Sequence, residues 1–291
     1  MSASRPEPFI WHCRDARLEL GHHTRVMGIL NLTPDSFYEG SRLSSVDQAV
    51  DRAGRMIAEG ADLIDIGGES SRPGAEPVSV DEELSRVIPV VEALAAATST
   101  LISVDTTKSA VARAALAAGA HIINDISAGR ADPAIVDVVR EFEAGMVLMH
   151  MQGTPRTMQD QPVYDDVVAE VGAFLAQQTA AAQAAGLDRR SLVWDPGIGF
   201  GKDFNHNWTL VRQLSKLTTS GYPLLVGLSR KRFLGSLCNR PVTDRLAASL
   251  AAAVLAIQSG AAIIRVHDVK ESCDAARVAD RIRLDSINDG D

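Results

Sequence analysis

Short apolar runs recur eight times along the chain, and nearly every one ends on a polar or charged residue: Val26–Asn31, Asp62–Gly67, Leu101–Asp105, His121–Asn124, Met146–His150, Leu192–Asp195, Leu224–Ser229 and Ile263–His267. Parallel strands buried on both faces read as continuous Val, Ile and Leu runs of this kind. Helical segments alternate with them, beginning near Val46, Val80, Thr107, Pro133, Val163, His206, Thr243 and Lys270. Ser45 and Ser79 read as N-caps, with Gln48 and Glu82 placed to complete capping boxes. Gly60, Gly119, Gly186, Gly221 and Gly260 each follow a helical run, where a left-handed residue ends a helix.

Regular alternation of strand and helix predicts an α/β fold with a parallel sheet. An open doubly wound sheet shows the same alternation. Eight strands with no obvious extra ones favour closure into a (β/α)8 TIM barrel, whose active site lies at the carboxyl ends of the strands. Phe9–Cys13 and Arg17–Leu20 flank a short polar turn and read as a hairpin. We place it as a plug across the amino-terminal end of the barrel. The expected organisation is residues 1–25 as hairpin and plug within the same domain, 26–285 as barrel, and 286–291 as a polar tail that frays.

Composition narrows the class. The 291 residues suit one barrel, and the net charge of -8 argues against sequence-independent nucleic-acid binding, which needs a basic surface. Cys13, Cys238 and Cys273 are far apart and form no CxxC pair, so reduced thiols in a cytoplasmic protein are expected. The amino terminus lacks the apolar run of a signal peptide, and Leu246–Ile257 is too short to span a bilayer.

Side chains at i and i+2 of a strand share a face. Met27, Ile29 and Asn31 therefore point one way, as do Ser103 with Asp105, Ile122 with Asn124, Val193 with Asp195, and Arg265 with His267. If the apolar members line the interior, the polar ones meet at the mouth. Asp105, Asn124 and Asp195 offer planar acceptors, and Asn124 also donates. Such a set suits a flat heterocycle with an amino group beside a ring N–H. Lys231 can donate to a ring oxygen or nitrogen, Arg265 can stack or bind an anion, and Met149 can cover a ring face. Arg72, on the loop GGESSRPGAEP, joins Arg265 and His267 as a candidate diphosphate grip. Asn31 could give an oxygen to a magnesium ion held mostly by water and phosphate. The segment from Asp195 to Lys202 is no Walker loop, because Pro196 replaces the first glycine and Asp203 the Ser or Thr. It reads instead as a tight loop that lets Asp195 and Phe200 reach the pocket. His12, His22, His23, His121 and His206 are expected at the surface or in packing. With no nucleophile–base pair in view, the chemistry expected is that of substrates reacting with each other while the protein holds them.

These residues stand in motifs that resemble the dihydropteroate synthase family across nearly the whole chain: MGILNLTPDSF (27–37), DIGGESSRPGA (65–75), SVDT (103–106), IINDIS (122–127), LMHMQGTP (148–155), WDPGIGFGK (194–202), GLSRKRFLG (227–235) and RVHDV (265–269). The resemblance implies a transferase of folate biosynthesis that condenses a dihydropterin methyl diphosphate with 4-aminobenzoate, with Mg2+ and as a homodimer. It implies catalytic roles for Asp105, Lys231, Arg265 and His267. Ser71, Asp105, Asn124, Met149, Asp195, Lys231, Arg265, Val266 and His267 would hold pterin and diphosphate. Ser71, Arg72, Pro73 and Phe200 would border the 4-aminobenzoate pocket, the site at which sulfonamides compete, and Asn31 would bind the metal.

Three positions depart from the common pattern of relatives: the first loop carries Tyr38-Glu39-Gly40-Ser41, Ser71 stands where many have Thr, and Arg232 follows the SRK lysine where some have Ser. The nearest rival is a pterin-binding methyltransferase of the methyltetrahydrofolate kind, which needs no diphosphate pocket. A non-catalytic pterin-binding paralogue would have lost the diphosphate residues, which are all present.

Overall fold

The computed structural model describes residues 8–32 and 42–288, except the side chains of 42–45 and 284–288. Eight parallel strands close into a barrel: β3 (Arg25–Asn31), β4 (Leu63–Gly67), β5 (Leu101–Asp105), β6 (Ile122–Asp125), β7 (Gly145–Met149), β8 (Leu192–Asp195), β9 (Leu224–Val226) and β10 (Ala261–Val266), with β10 pairing both β9 and β3. Helices alternate with them: α1 (Arg42–Ala58), α2 (Val80–Ala97), α3 (Ser109–Ala117), α4 (Ala134–Glu141), α5 (Val167–Ala184), α6 (Phe204–Arg212), the single turn α7 (Ser215–Thr218), α8 (Arg232–Cys238), α9 (Leu246–Gln258) and α10 (Val269–Asn288).

The expected hairpin forms from β1 (Phe9–Cys13) and β2 (Ala16–Leu20), paired antiparallel. Its Trp11, Cys13 and Leu20 pack against Met27, Leu63, Ile122, Val147, Val193 and Ile263 inside the barrel. Trp11 Nε1 donates to the Ser191 carbonyl at 2.9 Å, so the indole is buried without losing its hydrogen bond. The hairpin is thus a plug, and among the described residues the other end of the barrel carries the ligand-sized opening. The alternate strand residues, Val26, Ile64, Ile102, Ile123, Leu192 and Ile264 among them, pack outward against the helices.

All five helix-ending glycines have positive φ, between 75° at Gly221 and 112° at Gly119. Ser79 caps α2 through its Oγ, which accepts from Glu82 N at 3.2 Å. Ser45 is not a cap: α1 already begins at Arg42 and the residue lies within the helix. The strand expected over Leu224–Ser229 stops at Val226, because the chain turns at Gly227–Arg230, where Arg230 has φ 58°. The helix expected from Val163 starts at Val167, where Asp166 accepts from two backbone N–H groups. His206 is a capping residue: Asp203 accepts from His206 N and His206 Nδ1 accepts from Asp203 N, opening α6 at Phe204. Among the described residues no helix is long and apolar enough to cross a membrane.

Candidate active site at the barrel mouth

Strand parity carries the polar strand ends to one place. Ile29 and Asn31 of β3, Asp105 of β5, Asn124 of β6, Met149 of β7, Asp195 of β8, and Arg265 and His267 at β10 all line a cavity of about 770 Å³ at the carboxyl ends of the strands. Lys231, at the N-cap of α8, lines the same cavity. The predicted site residues converge, with one exception. Val266 takes the opposite parity and packs in the layer between barrel and helices, so its side chain does not reach the mouth. The first-loop residues Tyr38, Glu39, Gly40 and Ser41 lie outside the described residues.

Beneath the mouth stands an acid to which the sequence alone assigns no role, Asp65. Asp65 follows Leu63 by two along β4 and so faces inward, fully enclosed. Its Oδ2 accepts from Arg265 Nε at 2.6 Å and from Asn124 Nδ2 at 3.1 Å. Arg265 also donates from Nη2 to Asp105 Oδ2 at 2.9 Å. One guanidinium is therefore gripped by two carboxylates, and Asn124 has its amide N–H group turned toward Asp65. A second amide hydrogen and an unpartnered Oδ1 remain, so Asn124 keeps the donor–acceptor character expected from sequence. Four buried polar atoms, Asp65 Oδ1, Glu83 Oε1, Ser103 Oγ and Asn124 Oδ1, have no partner among the described residues.

Electrostatics follow from enclosure. Burial pushes the Asp105 carboxyl up to about 7, with Arg265 opposing and Asp65 reinforcing. Burial also raises Asp195, against the pull of the Gly197 N–H, which donates to its Oδ1 at 2.7 Å, and of Lys231. Lys231 is lowered to about 8 by burial, with Asp195 resisting. Arg265 stays above its usual value: burial works against its charge, but Asp65 and Asp105 outweigh it. His267 is pushed down to about 3 by burial and then by Arg230 and Arg265, so it is neutral at physiological pH. Ser229 sets that ring: its Oγ accepts from His267 N at 3.2 Å and lies 3.0 Å from Nδ1. Arg230, held by Asp268, fixes the turn that delivers Lys231.

A second wall adjoins the mouth. Ser71, Arg72 and Pro73, on the loop after β4, face the cavity together with Phe200, and the exposed Arg232 at the start of α8 stands at its rim. Phe200 packs against Ile126, Met149, Met151 and Met158. Lys231 Nζ sits 4.2 Å from its ring centroid, a cation–π contact. Behind this wall lies Lys202, which sequence reasoning quoted but gave no task. A long cation in a glycine-rich loop gives no sign by itself of whether it points out or in.

Asn31 is the one candidate magnesium ligand the sequence offers, and its surroundings decide whether it fits. Among the described residues no three His, Cys, Asp or Glu side chains gather as an all-protein metal site. Gly67 instead leaves space beside Asn31: a Cβ there would stand 3.6 Å from Asn31 Oδ1 and 3.7 Å from Asp105 Cβ. One neutral oxygen lining the ligand cavity fits a magnesium held mainly by water and a ligand's phosphate, and not a caged one.

The fold and mouth define a pterin-binding barrel enzyme. The model of the family described as pterin binding enzymes matches residues 27–267. The chain is 51% identical over 258 residues to the dihydropteroate synthase of Escherichia coli K12, covering 89% of this chain and 91% of that protein. The solved Xanthomonas albilineans dihydropteroate synthase with 4-aminobenzoic acid is 49% identical, with a TM-score of 0.89 over 95% of this chain and 98% of that one. The same organism's enzyme in complex with 7,8-dihydropteroate has a TM-score of 0.84 at 46% identity, covering 94% of this chain and 98% of that one. This chain belongs to the dihydropteroate synthases, a family of transferases.

Proposed function

We propose that the protein condenses a (7,8-dihydropterin-6-yl)methyl diphosphate with 4-aminobenzoate, giving 7,8-dihydropteroate and diphosphate. The observation that carries this is the single cavity lined by Asp105, Asn124, Asp195, Lys231, Arg265 and His267, with Ser71, Arg72, Pro73 and Phe200 beside it. The carboxylates and the Asn124 oxygen match the amino and ring N–H donors of a pterin. Lys231 donates to the ring, and Met149 covers it. Arg265, held on edge by Asp65 and Asp105, serves both the ring and the departing diphosphate. His267, neutral, adds an N–H donor, and Ser71 a hydroxyl.

Asn31 would hold magnesium together with the ligand's phosphate and water. When bound, the ion neutralises charge developing on the leaving group. Loss of diphosphate leaves a cation delocalised into the dihydropterin, which the enclosed Asp105 and Asp195 stabilise. The arylamine is already neutral at pH 7 and attacks without a strong base. This fits a site with aligned acceptors and, among the described residues, no nucleophile–base dyad, and it makes the path SN1-like. The p-aminobenzoate wall also makes the site a sulfonamide target, tested by competition between sulfamethoxazole and 4-aminobenzoate.

Exposed Leu255 on α9 and Val278 and Ile282 on α10 support a homodimer through these helices. The three free cysteines support a cytoplasmic setting. Diphosphate release from the pterin substrate, measured with and without 4-aminobenzoate and magnesium, tests the assignment. Release that ignores both additions would refute it.

A further inference from the structure

The loop after β8 is wound around a cation that the chain itself supplies. Gly197, Gly199 and Gly201 have φ of 64°, 89° and 59°. A Cβ at Gly197 would be driven into the His150 carbonyl, and one at Gly201 into the Gln152 backbone. Only glycine permits this winding, which turns backbone oxygens inward. At the centre, Lys202 Nζ donates to the carbonyls of Gly197 and Phe200, each at 2.9 Å, and lies 3.3 Å from the His150 carbonyl and 2.9 Å from His150 Nδ1. Lys202 is 2% exposed. Its hydrogen-bond partners among the described residues are carbonyls and one imidazole, none a carboxylate. Burial pushes Lys202 well below the usual lysine range, with the nearby Asp195 charge opposing, and an apolar residue of similar length would be cheaper there unless the cage serves a purpose. Burial, and then Lys202 itself, push His150 down to about 3, so its ring is neutral and Nδ1 is free to accept.

The cage sits directly behind the second wall of the mouth. Two of its oxygens belong to residues 197 and 200, the second of which carries the phenyl ring of the wall. The outer side of the loop is tied as well: Gln159 Nε2 donates to Gly199 O, Tyr164 Oη to Gly201 O, and Gly199 N to Asn207 Oδ1.

We propose that Lys202 is a positioning residue for the arylamine half of the reaction: its ammonium organises the Gly197–Gly201 loop as a bound monovalent cation would, and so sets the Phe200 wall against which the aromatic amine packs. This rests on the assignment of Phe200 to the 4-aminobenzoate pocket. It makes Lys202 act through Phe200 and never on the reacting atoms. The pterin side keeps anchors outside the loop, Asp195 in β8 and Lys231 in the turn before α8, while Gly197 N also donates to Asp195 Oδ1 and Lys231 lies over the Phe200 ring.

The test uses Lys202→Met, which keeps length and removes charge, and Lys202→Ala, which deletes the four atoms that n-propylammonium can replace. In Lys202→Met the KM for 4-aminobenzoate rises tenfold or more, while the dissociation constant of a non-reactive pterin changes less than threefold. In Lys202→Ala, n-propylammonium restores the low KM saturably, and tetramethylammonium, too bulky for the cage, does not. Should Lys202→Met fail to fold, the alanine variant assayed after purification in n-propylammonium decides alone. An unchanged KM for 4-aminobenzoate, an equal loss for both substrates, or indifference to n-propylammonium overturns the proposal. If the wild-type protein itself shows no turnover with the two substrates, the functional assignment has failed rather than this inference.

Discussion

Replacing Asp65 with Asn is the sharpest test of how the mouth is held. The carboxylate is fully enclosed and accepts two hydrogen bonds, one from the Arg265 guanidinium at 2.6 Å and one from the Asn124 amide at 3.1 Å. An amide oxygen in the same place keeps the geometry and loses the charge. The Arg265 donor keeps its charge, so the bond stays within the about 1.5–3 kcal/mol range of hydrogen bonds to charged groups, and a fall across that range costs up to about 1.5 kcal/mol. Stripping a buried ion of its only partner costs about 3–5 kcal/mol. Arg265 keeps Asp105, so only part of that applies. The new NH2 replaces an oxygen that was itself unpartnered, and those two terms roughly cancel. The expected loss is about 2–3 kcal/mol in folding stability, read by urea denaturation with m unchanged. Asn124 is no longer compelled to turn its NH2 toward position 65, and Arg265 is held on one side only. Affinity for a non-reactive pterin, measured by calorimetry, should fall about 10- to 100-fold, since each 1.4 kcal/mol is about a factor of ten. Unchanged stability would show that the buried bonds are not formed. Reduced stability with intact pterin affinity would show that Asp65 only packs and does not arrange the site.

Three further outcomes are expected. Asp195→Asn should leave the fold intact and cost about 2 kcal/mol or more of pterin binding, because an acceptor becomes partly a donor; equal affinity would contradict the placement of Asp195 at the ligand edge. The kcat/KM for the pterin diphosphate should be bell-shaped, since this ratio reports the free enzyme. It should rise as Asp105 ionises near 7 and fall as Lys231 loses its proton near 8, and a flat profile from about pH 6 to 9 would refute the assignment. For stability the sign of the Asp105 effect is opposite. Its folded value lies above its unfolded one, so its contribution is complete below about pH 4 and is lost as pH rises through about 7. Val266→Ala should lower stability by about 2 kcal/mol, as for a buried aliphatic truncation, and leave pterin affinity unchanged, since the side chain faces the helices.

Much of this molecule is local information. The eight strands were legible because both faces of each are buried and the runs are apolar without interruption. The site was legible because strand parity is a property of neighbouring residues: Met27 and Ile29 inside imply Asn31 at the rim, and Val193 inside implies Asp195. The same rule rejects Val266, which stands one position out of phase with Arg265. The helix-ending glycines likewise needed only their own sequence neighbourhood.

What tertiary structure alone decided is partnership. Asp65 and Arg265 are separated by 200 positions, and nothing in either segment says that one grips the other. Closure of the ring brings β10 beside β3 and, through β4, places Asp65 opposite the guanidinium. The donor–acceptor sense of Asn124 is set by that neighbour, so composition could name the amide but not orient it. Lys202 shows the same limit. Its cage is assembled from the ends of two adjacent strands and exists only when His150 and the glycine loop meet, because backbone carbonyls have no sequence signature. Side-chain types and their periodicity are written along the chain, whereas burial, hydrogen-bond direction and pKa depend on which distant atoms exclude the water.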